Sequence, residues 1–245
     1  MKWRLLLLVL LVVVVVVALG PAEALAAPGG MIVAAVAKSF WGRVALVALT
    51  VLFLPIIFYV LVREAIGTRR AQRDLKVLRA LHPAFDWMTL HDRVVECFTR
   101  VHAAWRKEDM AQASAWMTDW YWQNQQIAHL DRWAEQGLVN RCTVKSVGRV
   151  KPLHVACRNG DSDFSGSRVV VSVTANMEDY LQGRDGGKIV EGERGYKDAE
   201  FVWTLELGQG VWRVARIEEG SLSLTYAAMA NELPVAMPQP SPRRA

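Results

Sequence analysis

The feature that most constrains this chain is an uncharged apolar run of 19 residues, from Val44 to Val62. As a helix rising 1.5 Å per residue it would extend about 28 Å, which is close to the hydrocarbon thickness of a bilayer. The run contains Pro55, and membrane helices accommodate an interior proline better than soluble helices do. We therefore expect a transmembrane helix over residues 44–62.

A second apolar stretch, Leu5 to Leu19, has the features of a secretory signal peptide. It follows the basic residues Lys2 and Arg4 and precedes the small-residue sequence Ala24-Leu25-Ala26. This order predicts a signal peptide over residues 1–26, which leaves a short translocated segment over 27–43. The alternative is an uncleaved first membrane helix, which would make the protein two-pass instead of single-pass.

The charges that flank the apolar run predict its orientation. Residues 63–81 carry six basic and two acidic side chains, whereas the upstream flank holds Lys38 and Arg43. The more basic side of a membrane helix stays in the cytoplasm. We therefore expect an inner-membrane protein whose C-terminal domain is cytoplasmic.

The basic character of the chain lies outside the predicted domain. The whole chain has a net charge of +5, but residues 82–242 carry 17 basic and 21 acidic side chains. A nucleic-acid surface requires clustered positive charge on the domain itself, so no nucleic-acid partner is expected. The basic cluster after the apolar run is suited to anionic lipid headgroups. Its candidate lipid-contacting residues are Arg63, Arg69, Arg70, Arg73 and Lys76.

The three cysteines, Cys97, Cys142 and Cys157, contain no C-x-x-C spacing and are odd in number. A framework of structural disulfides is therefore not expected. Free thiols are typical of a reducing compartment, in agreement with a cytoplasmic domain.

Helical periods occupy the first half of the predicted domain. A basic juxtamembrane helix is expected over residues 63–82, because His82-Pro83 disfavours its continuation. Apolar residues then recur at steps of three and four from Leu90 to Trp105, which indicates an amphipathic helix. Asp109 and Asp119 are candidate N-caps of two further helices, the last of them ending at Gly137.

Beyond Gly137 the apolar period changes to two. Alternation over Arg168–Met177 predicts a strand, and Gly208-Gln209-Gly210 predicts a hairpin between two more strands. An earlier strand or strand pair is expected between Val139 and Cys157. Helices followed by antiparallel strands define an α+β domain. The proline-rich tail, residues 234–245, is expected to be disordered.

Several segments of the domain resemble, in order and spacing, a known family. They are Phe98-x-x-Val101-x-x-Ala104-Trp105, Thr118-Asp119, Ile189–Gly192, Val202–Leu205 and Trp212–Ile217. Over residues 83–233 they are similar to the domain of the mitochondrial inner-membrane translocase subunit 44, within the nuclear transport factor 2-like superfamily. The family also includes a mitochondrial ribosomal large-subunit protein that anchors to the inner membrane.

The resemblance implies a cone-shaped α+β domain, with three N-terminal helices on a curved antiparallel sheet. It also implies a non-enzymatic docking role, a deep apolar pocket and affinity for acidic lipids. The chain does not contain the long N-terminal region through which the mitochondrial protein engages its chaperone, so a chaperone-tethering role is not expected.

The same cone fold hosts isomerases and dehydratases, and fold alone does not decide function. The candidate pocket residues are His102, Trp105, Asp119, Tyr121 and Trp203. The alternative is that both residues have structural roles, with His102 a partly buried helix residue and Asp119 a helix cap. No nucleophile motif or carboxylate pair supports catalysis, and His154 and Cys157 lack the spacing of metal ligands. No catalytic residue, cofactor or metal is expected.

Tryptophans are concentrated before Gly137, and one group of them suggests a partner surface. Trp122, His129 and Trp133 would share a face of a regular α-helix, and tryptophan suits both protein interfaces and headgroups. The alternative is that the helix has a wide buried face and that these residues belong to it. The sequence therefore predicts a membrane-anchored docking protein for a protein partner and acidic lipid, with a role in protein translocation or membrane-complex assembly. A small-molecule or isomerase-like pocket is the second hypothesis, and self-association is left open.

Overall fold

A computed structural model of the protein describes residues 40–158 and 163–234. The predicted signal peptide (1–26), almost all of the translocated segment and the tail from 235 lie outside the described residues. The chain divides into two compact units, Met1–Val62 and Arg63–Ala245. The predicted α+β class is confirmed, because helices and a four-stranded antiparallel sheet form the second unit.

Helix α1, Phe40–Leu78, continues without interruption through the predicted membrane segment and contains Pro55. Side chains such as Leu52, Ile56 and Leu61 are exposed. By length and composition, α1 is the one helix in the described part of the chain that could cross a membrane, with its qualifying stretch at Val51–Leu78.

The second half of α1 belongs to the globular unit. Ala71, Leu75 and Leu78 are fully buried in the main core, and Gly67 packs closely on Ala227. This apolar stripe recurs at steps of three and four residues, as expected for a helix that packs along one side. The segment 63–82, predicted as a basic juxtamembrane helix before the domain, therefore supplies part of the core of the domain.

Helix α2, Trp87–Arg106, forms the main helical wall. The carboxylate of Asp86 caps it by accepting hydrogen bonds from the backbone N–H groups of Met88 and Thr89. Its buried stripe holds Leu90, Val94, Cys97, Phe98, Val101 and Ala104. The second predicted helix is only a 3₁₀ turn, Met110–Ala113, whose N-cap is Asp109 as expected.

The third predicted helix is interrupted by a π-helical segment. It consists of α3 (Asp119–Gln125), the π segment Gln126–Asp131 and α4 (Arg132–Glu135). The N-cap is Thr118, not Asp119, which lies one position inside the first turn. There its negative charge still favours the positive end of the helix dipole. A π turn adds a residue to the helical repeat, so side chains beyond it are rotated relative to an α-helix.

The sheet contains four strands in the order β1-β2-β3-β4, each antiparallel to the next. They are β1 Leu138–Ala156, β2 Arg168–Gly183, β3 Ile189–Gly208 and β4 Val211–Glu219. The predicted strand or strand pair after Val139 is one long strand. Its pairing with β2 shifts register in three places. One of these shifts is at Pro152, because proline has no backbone N–H to donate to the ladder.

The two faces of the sheet have different coverings. Alternate residues of β2, including Val169, Val171 and Val173, join the main core, which also holds the buried stripe of α2. On the opposite face, Val170 and Val202 cluster with Ala227 of α5, Ser223–Ala228. The alternating pattern of the strand therefore places apolar residues against helices on both faces.

Polar contacts hold the globular half of α1 against the C-terminal segment. Arg70 donates hydrogen bonds to the carbonyl oxygens of Ala227, at 2.9 Å, and of Met229. These carbonyls lie at the C-terminus of α5, where a positive charge is favourable. Glu64 and Lys151 form an ion pair between α1 and β1.

Substitution Gly67→Ala should destabilise the domain. A Cβ at this position would lie 2.3 Å from the carbonyl oxygen of Ala227 and 2.7 Å from its Cβ. In an open helix the same change stabilises by about 0.5–1 kcal/mol, whereas overpacking here should cost about 1–3 kcal/mol. The free energy of unfolding of detergent-solubilised full-length protein, measured by denaturant titration, checks this. The control Ala65→Val, at an exposed position two residues earlier, should change stability by less than about 0.5 kcal/mol. A more stable Gly67→Ala variant would contradict the close packing.

A candidate binding cavity between the helices and the sheet

A cavity of about 520 Å³ lies between the helical layer and the sheet. One wall is helical, with Val101, His102 and Trp105 of α2 opposite Tyr121 of α3. The other wall comes from the strands, and each of the four strands contributes at least one residue. The volume lies in the range of small-molecule and side-chain binding sites.

The π segment and α4 bring two aromatic residues to the helical wall. His129 and Trp133 both line the cavity. The rings of Trp105 and Trp133 meet edge to face, with centroids 5.8 Å apart, and the ring of His129 lies 5.8 Å from that of Trp105. Edge-to-face contacts are favourable geometries for aromatic rings.

A chain of hydrogen bonds crosses from the helical wall to the strands. The indole N–H of Trp105 donates to Oδ1 of Asn140 at 3.0 Å. The side-chain amide of Asn140 donates in turn to Oδ1 of Asp179 at 2.8 Å. These two hydrogen bonds satisfy polar groups of the buried Asn140 side chain and orient one oxygen of the Asp179 carboxylate.

Tyr121 is 5% exposed, and its hydroxyl oxygen accepts a hydrogen bond from the backbone N–H of Ile217 at 2.8 Å. Burial raises the pKa of Tyr121 to about 12, so the hydroxyl keeps its proton at neutral pH. Within the described residues that proton has no acceptor, which makes the hydroxyl a hydrogen-bond donor available to a ligand.

His102 is a neutral aromatic component of the wall. Burial lowers its pKa below the ordinary value of 6.5, although a hydrogen bond with the carbonyl oxygen of Phe98 acts in the opposite direction. Nδ1 lies 2.7 Å from that oxygen, so Nδ1 carries the proton and donates. The His102 ring also lies 4.0 Å from the ring of Phe98. Burial, followed by the charge of Arg132, lowers the pKa of His129 as well.

Cys142 adds a protonated thiol to the strand wall. Burial raises its pKa to about 12, and the charge of Asp179 acts in the same direction. The nucleophilic form of cysteine is the thiolate. Cys142 is therefore a small apolar wall residue at neutral pH.

The structure brings together three of the five residues predicted for the pocket. His102, Trp105 and Tyr121 line the cavity. Asp119 lies in a shallow surface depression with Arg213 instead, because it is in the first turn of α3 rather than on its inward face. Trp203 is fully buried and stacks on His102 with ring centroids 5.9 Å apart.

The predicted partner surface is not one continuous face. His129 and Trp133 line the cavity, whereas Trp122 packs on the core with a buried indole N–H that has no hydrogen-bond partner in the described part. The π segment begins after Trp122, contains His129 and precedes Trp133, and it changes the helical phase between them. Trp120 and Ile127, on the other predicted stripe, are 71% and 67% exposed.

The predicted lipid-contacting residues also divide into two groups. Arg63, Arg69, Arg73 and Lys76 have exposed side chains. Arg70 binds two carbonyl groups of the C-terminal segment, so its guanidinium is directed into the domain. Asn140, Asp179 and Glu191 of the cavity were not predicted, because isolated polar residues on strands have no distinguishing sequence pattern.

The described structure is thus an α+β domain with an aromatic cavity, preceded by one helix long enough to cross a membrane. A family model described as the Tim44-like domain matches residues 71–219. The chain belongs to the Tim44-like domain family, which confirms the resemblance seen in the sequence.

Two further comparisons complete this picture. A solved structure described as the intermembrane space region of the chloroplast protein ARC6 is similar at 12% identity, with a TM-score of 0.38. The match covers 55% of this chain and 95% of that one, and the similarity is too low to support an inference about fold or function. No curated protein matches the sequence.

The half-buried His102 should make the domain less stable in acid. Its pKa in the folded state is below 6.5, so below that pH the unfolded chain binds more protons and stability falls as the pH decreases. A His102→Gln variant lacks this contribution, and its stability should decline less between about pH 7 and about pH 5. Denaturant titrations at several pH values measure the slope. The variant His91→Gln, on the same helix outside the cavity, should retain the full decline; an unchanged slope in His102→Gln would contradict a neutral buried ring.

Proposed function

We propose that this protein is a membrane-anchored docking protein whose Tim44-like domain captures a protein partner at the inner membrane, in protein translocation or membrane-complex assembly. One observation carries the proposal. The helix that contains the uncharged run 44–62 also supplies Ala71, Leu75 and Leu78 to the core of a domain with an aromatic cavity. Family membership supports a membrane-associated, translocation-related role.

We further propose that the domain adopts the cone-shaped arrangement of the nuclear transport factor 2-like superfamily. The cavity between the helices and the sheet supports this arrangement. In this interpretation the domain binds and does not catalyse, in keeping with a non-enzymatic family. The wall residues His102, Tyr121 and Cys142 all remain uncharged at neutral pH.

Acidic lipid is the proposed second contact. Arg63, Arg69, Arg73 and Lys76 follow closely on the apolar run and have exposed side chains. Each basic residue near an anionic surface contributes about 1 kcal/mol of attraction. Arg70 is left out of this set because it binds the carbonyl groups of Ala227 and Met229.

The proposed orientation places the domain in the cytoplasm, and an exposed cysteine tests it. The three native thiols are buried, so Ser146→Cys, on the exposed side of β1, gives a selective label site. In whole cells a membrane-impermeant maleimide should label Ser146→Cys only after permeabilisation. The control Ser39→Cys, in the predicted translocated segment, should be labelled in intact cells. Labelling of Ser146→Cys in intact cells would reverse the orientation.

Site-specific photocrosslinking tests whether the cavity is the docking site. A benzophenone amino acid at Tyr180, which lines the cavity, should yield a discrete adduct with a protein in intact membranes. The same amino acid at Tyr196, an exposed tyrosine of β3 outside the lining, should yield much less. Equal adducts at both positions, or none at Tyr180, would contradict docking at the cavity.

The cavity volume also favours a second candidate function, the binding of a small molecule. A ligand held there would raise the melting temperature of the protein. His102→Ala should abolish that shift, whereas Asp119→Ala, outside the cavity, should preserve it. A shift that survives His102→Ala would place the ligand elsewhere.

A further inference from the structure

The charges of the cavity are one-sided. Of the sixteen residues that line it, Asp179 and Glu191 are acidic and none is a lysine or an arginine. The two histidines, His102 and His129, are held toward the neutral form by burial. The cavity therefore carries a formal charge of about −2 with no basic side chain in its lining.

Neither of these two carboxylates forms an ion pair within the described residues. Some other acidic groups of the domain do, and Glu108, Glu193 and Glu206, for example, each pair with an arginine or a lysine. In the described part of the chain Asp179 accepts a hydrogen bond only from the neutral amide of Asn140, and Glu191 forms no ion pair. The nearby guanidinium of Arg194 is placed over the ring of Tyr180.

The rest of the lining suits a cation with an apolar stem. Trp105, Trp133, Tyr180 and Phe201 contribute aromatic rings, and a cation is attracted to the face of such rings. Aliphatic side chains complete the wall. The methylene groups of lysine and arginine bury well against such surfaces while the charged end reaches a polar group.

Tyr121 adds a neutral donor to the same cavity. Its hydroxyl proton has no acceptor within the described residues, although its oxygen is fixed by the N–H of Ile217. A side chain that is 5% exposed and retains an unused donor is best satisfied by an acceptor on a ligand. The carbonyl oxygen of a peptide supplies such an acceptor, whereas a simple amine or quaternary ammonium ion does not.

We propose that the cavity binds an arginine or lysine side chain, presented by an apolar segment of the partner protein, with Asp179 and Glu191 as its counter-charges. Tyr121 donates a hydrogen bond to a backbone carbonyl of the same segment. The proposal rests on the docking function above and specifies the chemistry of the docked segment: one basic residue between apolar neighbours.

The probe is acetyl-Leu-Arg-Leu-amide, titrated into detergent-solubilised full-length protein and followed by tryptophan fluorescence. The control peptide replaces arginine with citrulline, which has nearly the same shape and no charge. The arginine peptide should bind about tenfold more tightly, a difference of the size expected for a cation among aromatic rings and carboxylates. Added salt should reduce the difference. Equal affinities, or no binding of either peptide, would overturn the proposal.

Matched variants locate the interaction. Glu191→Gln should weaken the arginine peptide about fivefold and leave the citrulline peptide unchanged. Glu193→Gln removes the same charge two residues along β3, outside the lining, and should have no effect. Tyr121→Phe should weaken both peptides equally. Equal losses in Glu191→Gln and Glu193→Gln would indicate a general charge effect and contradict the site.

A titration with argininamide distinguishes a protein segment from a free organic cation as the ligand of the cavity. Argininamide should bind much more weakly than the tripeptide, and equal binding would assign the cavity to a free cation and overturn the peptide proposal. Failure of the proposal that the cavity binds a basic side chain is distinguishable from failure of the docking function. A crosslink at Tyr180 without a preference for arginine would leave docking in place and remove only the cationic segment.

Discussion

A buried carboxylate joins three parts of the domain that are distant in sequence. Asp74, near the end of α1, is 4% exposed and accepts a hydrogen bond from Nδ2 of Asn231 at 2.7 Å. Oδ1 of the same asparagine accepts a hydrogen bond from the backbone N–H of Val155 at 3.0 Å, and Arg73 supplies a positive charge to Asp74 at 3.0 Å. Loss of Asn231 would leave the backbone N–H of Val155 without this acceptor and the buried Asp74 carboxylate with Arg73 alone, which costs more than the loss of an exposed hydrogen bond. Through this joint the part of α1 that follows the apolar run is held in the domain.

The cavity depends on irregular structure elsewhere in the domain. The π segment 126–131 turns His129 and Trp133 toward the sheet. In the opposite wall, the β2–β3 ladder shifts register between Met177 and Asp179. A bulge redirects the side chains beside it, and Asp179 accepts its hydrogen bond from Asn140 on the neighbouring strand β1.

Family membership and the burial pattern agree on where the domain begins. The Tim44-like match begins at residue 71, within α1 and not after it, in agreement with the burial of Ala71, Leu75 and Leu78. The helix that carries the apolar run therefore also carries the first residues of the domain. Within the described residues, Glu193, Glu206 and Glu218 of the sheet form ion pairs with neighbouring bases, whereas Asp179 and Glu191 of the cavity form none.

The sequence by itself determined the features that depend on neighbouring residues. These are the uncharged apolar run, the buried stripe of α2, the alternation in β2, the α+β class and the family, because helical and strand periodicity are local properties. It placed His102, Trp105 and Tyr121 in one cavity through the resemblance. Tertiary structure alone decided that Asp119 and Trp203 lie outside the lining, and that Arg70 is directed into the domain. It also brought together Asn140, Asp179 and Glu191 from three strands, because strand pairing and a π turn are set by contacts between residues far apart in the chain, which no local pattern records.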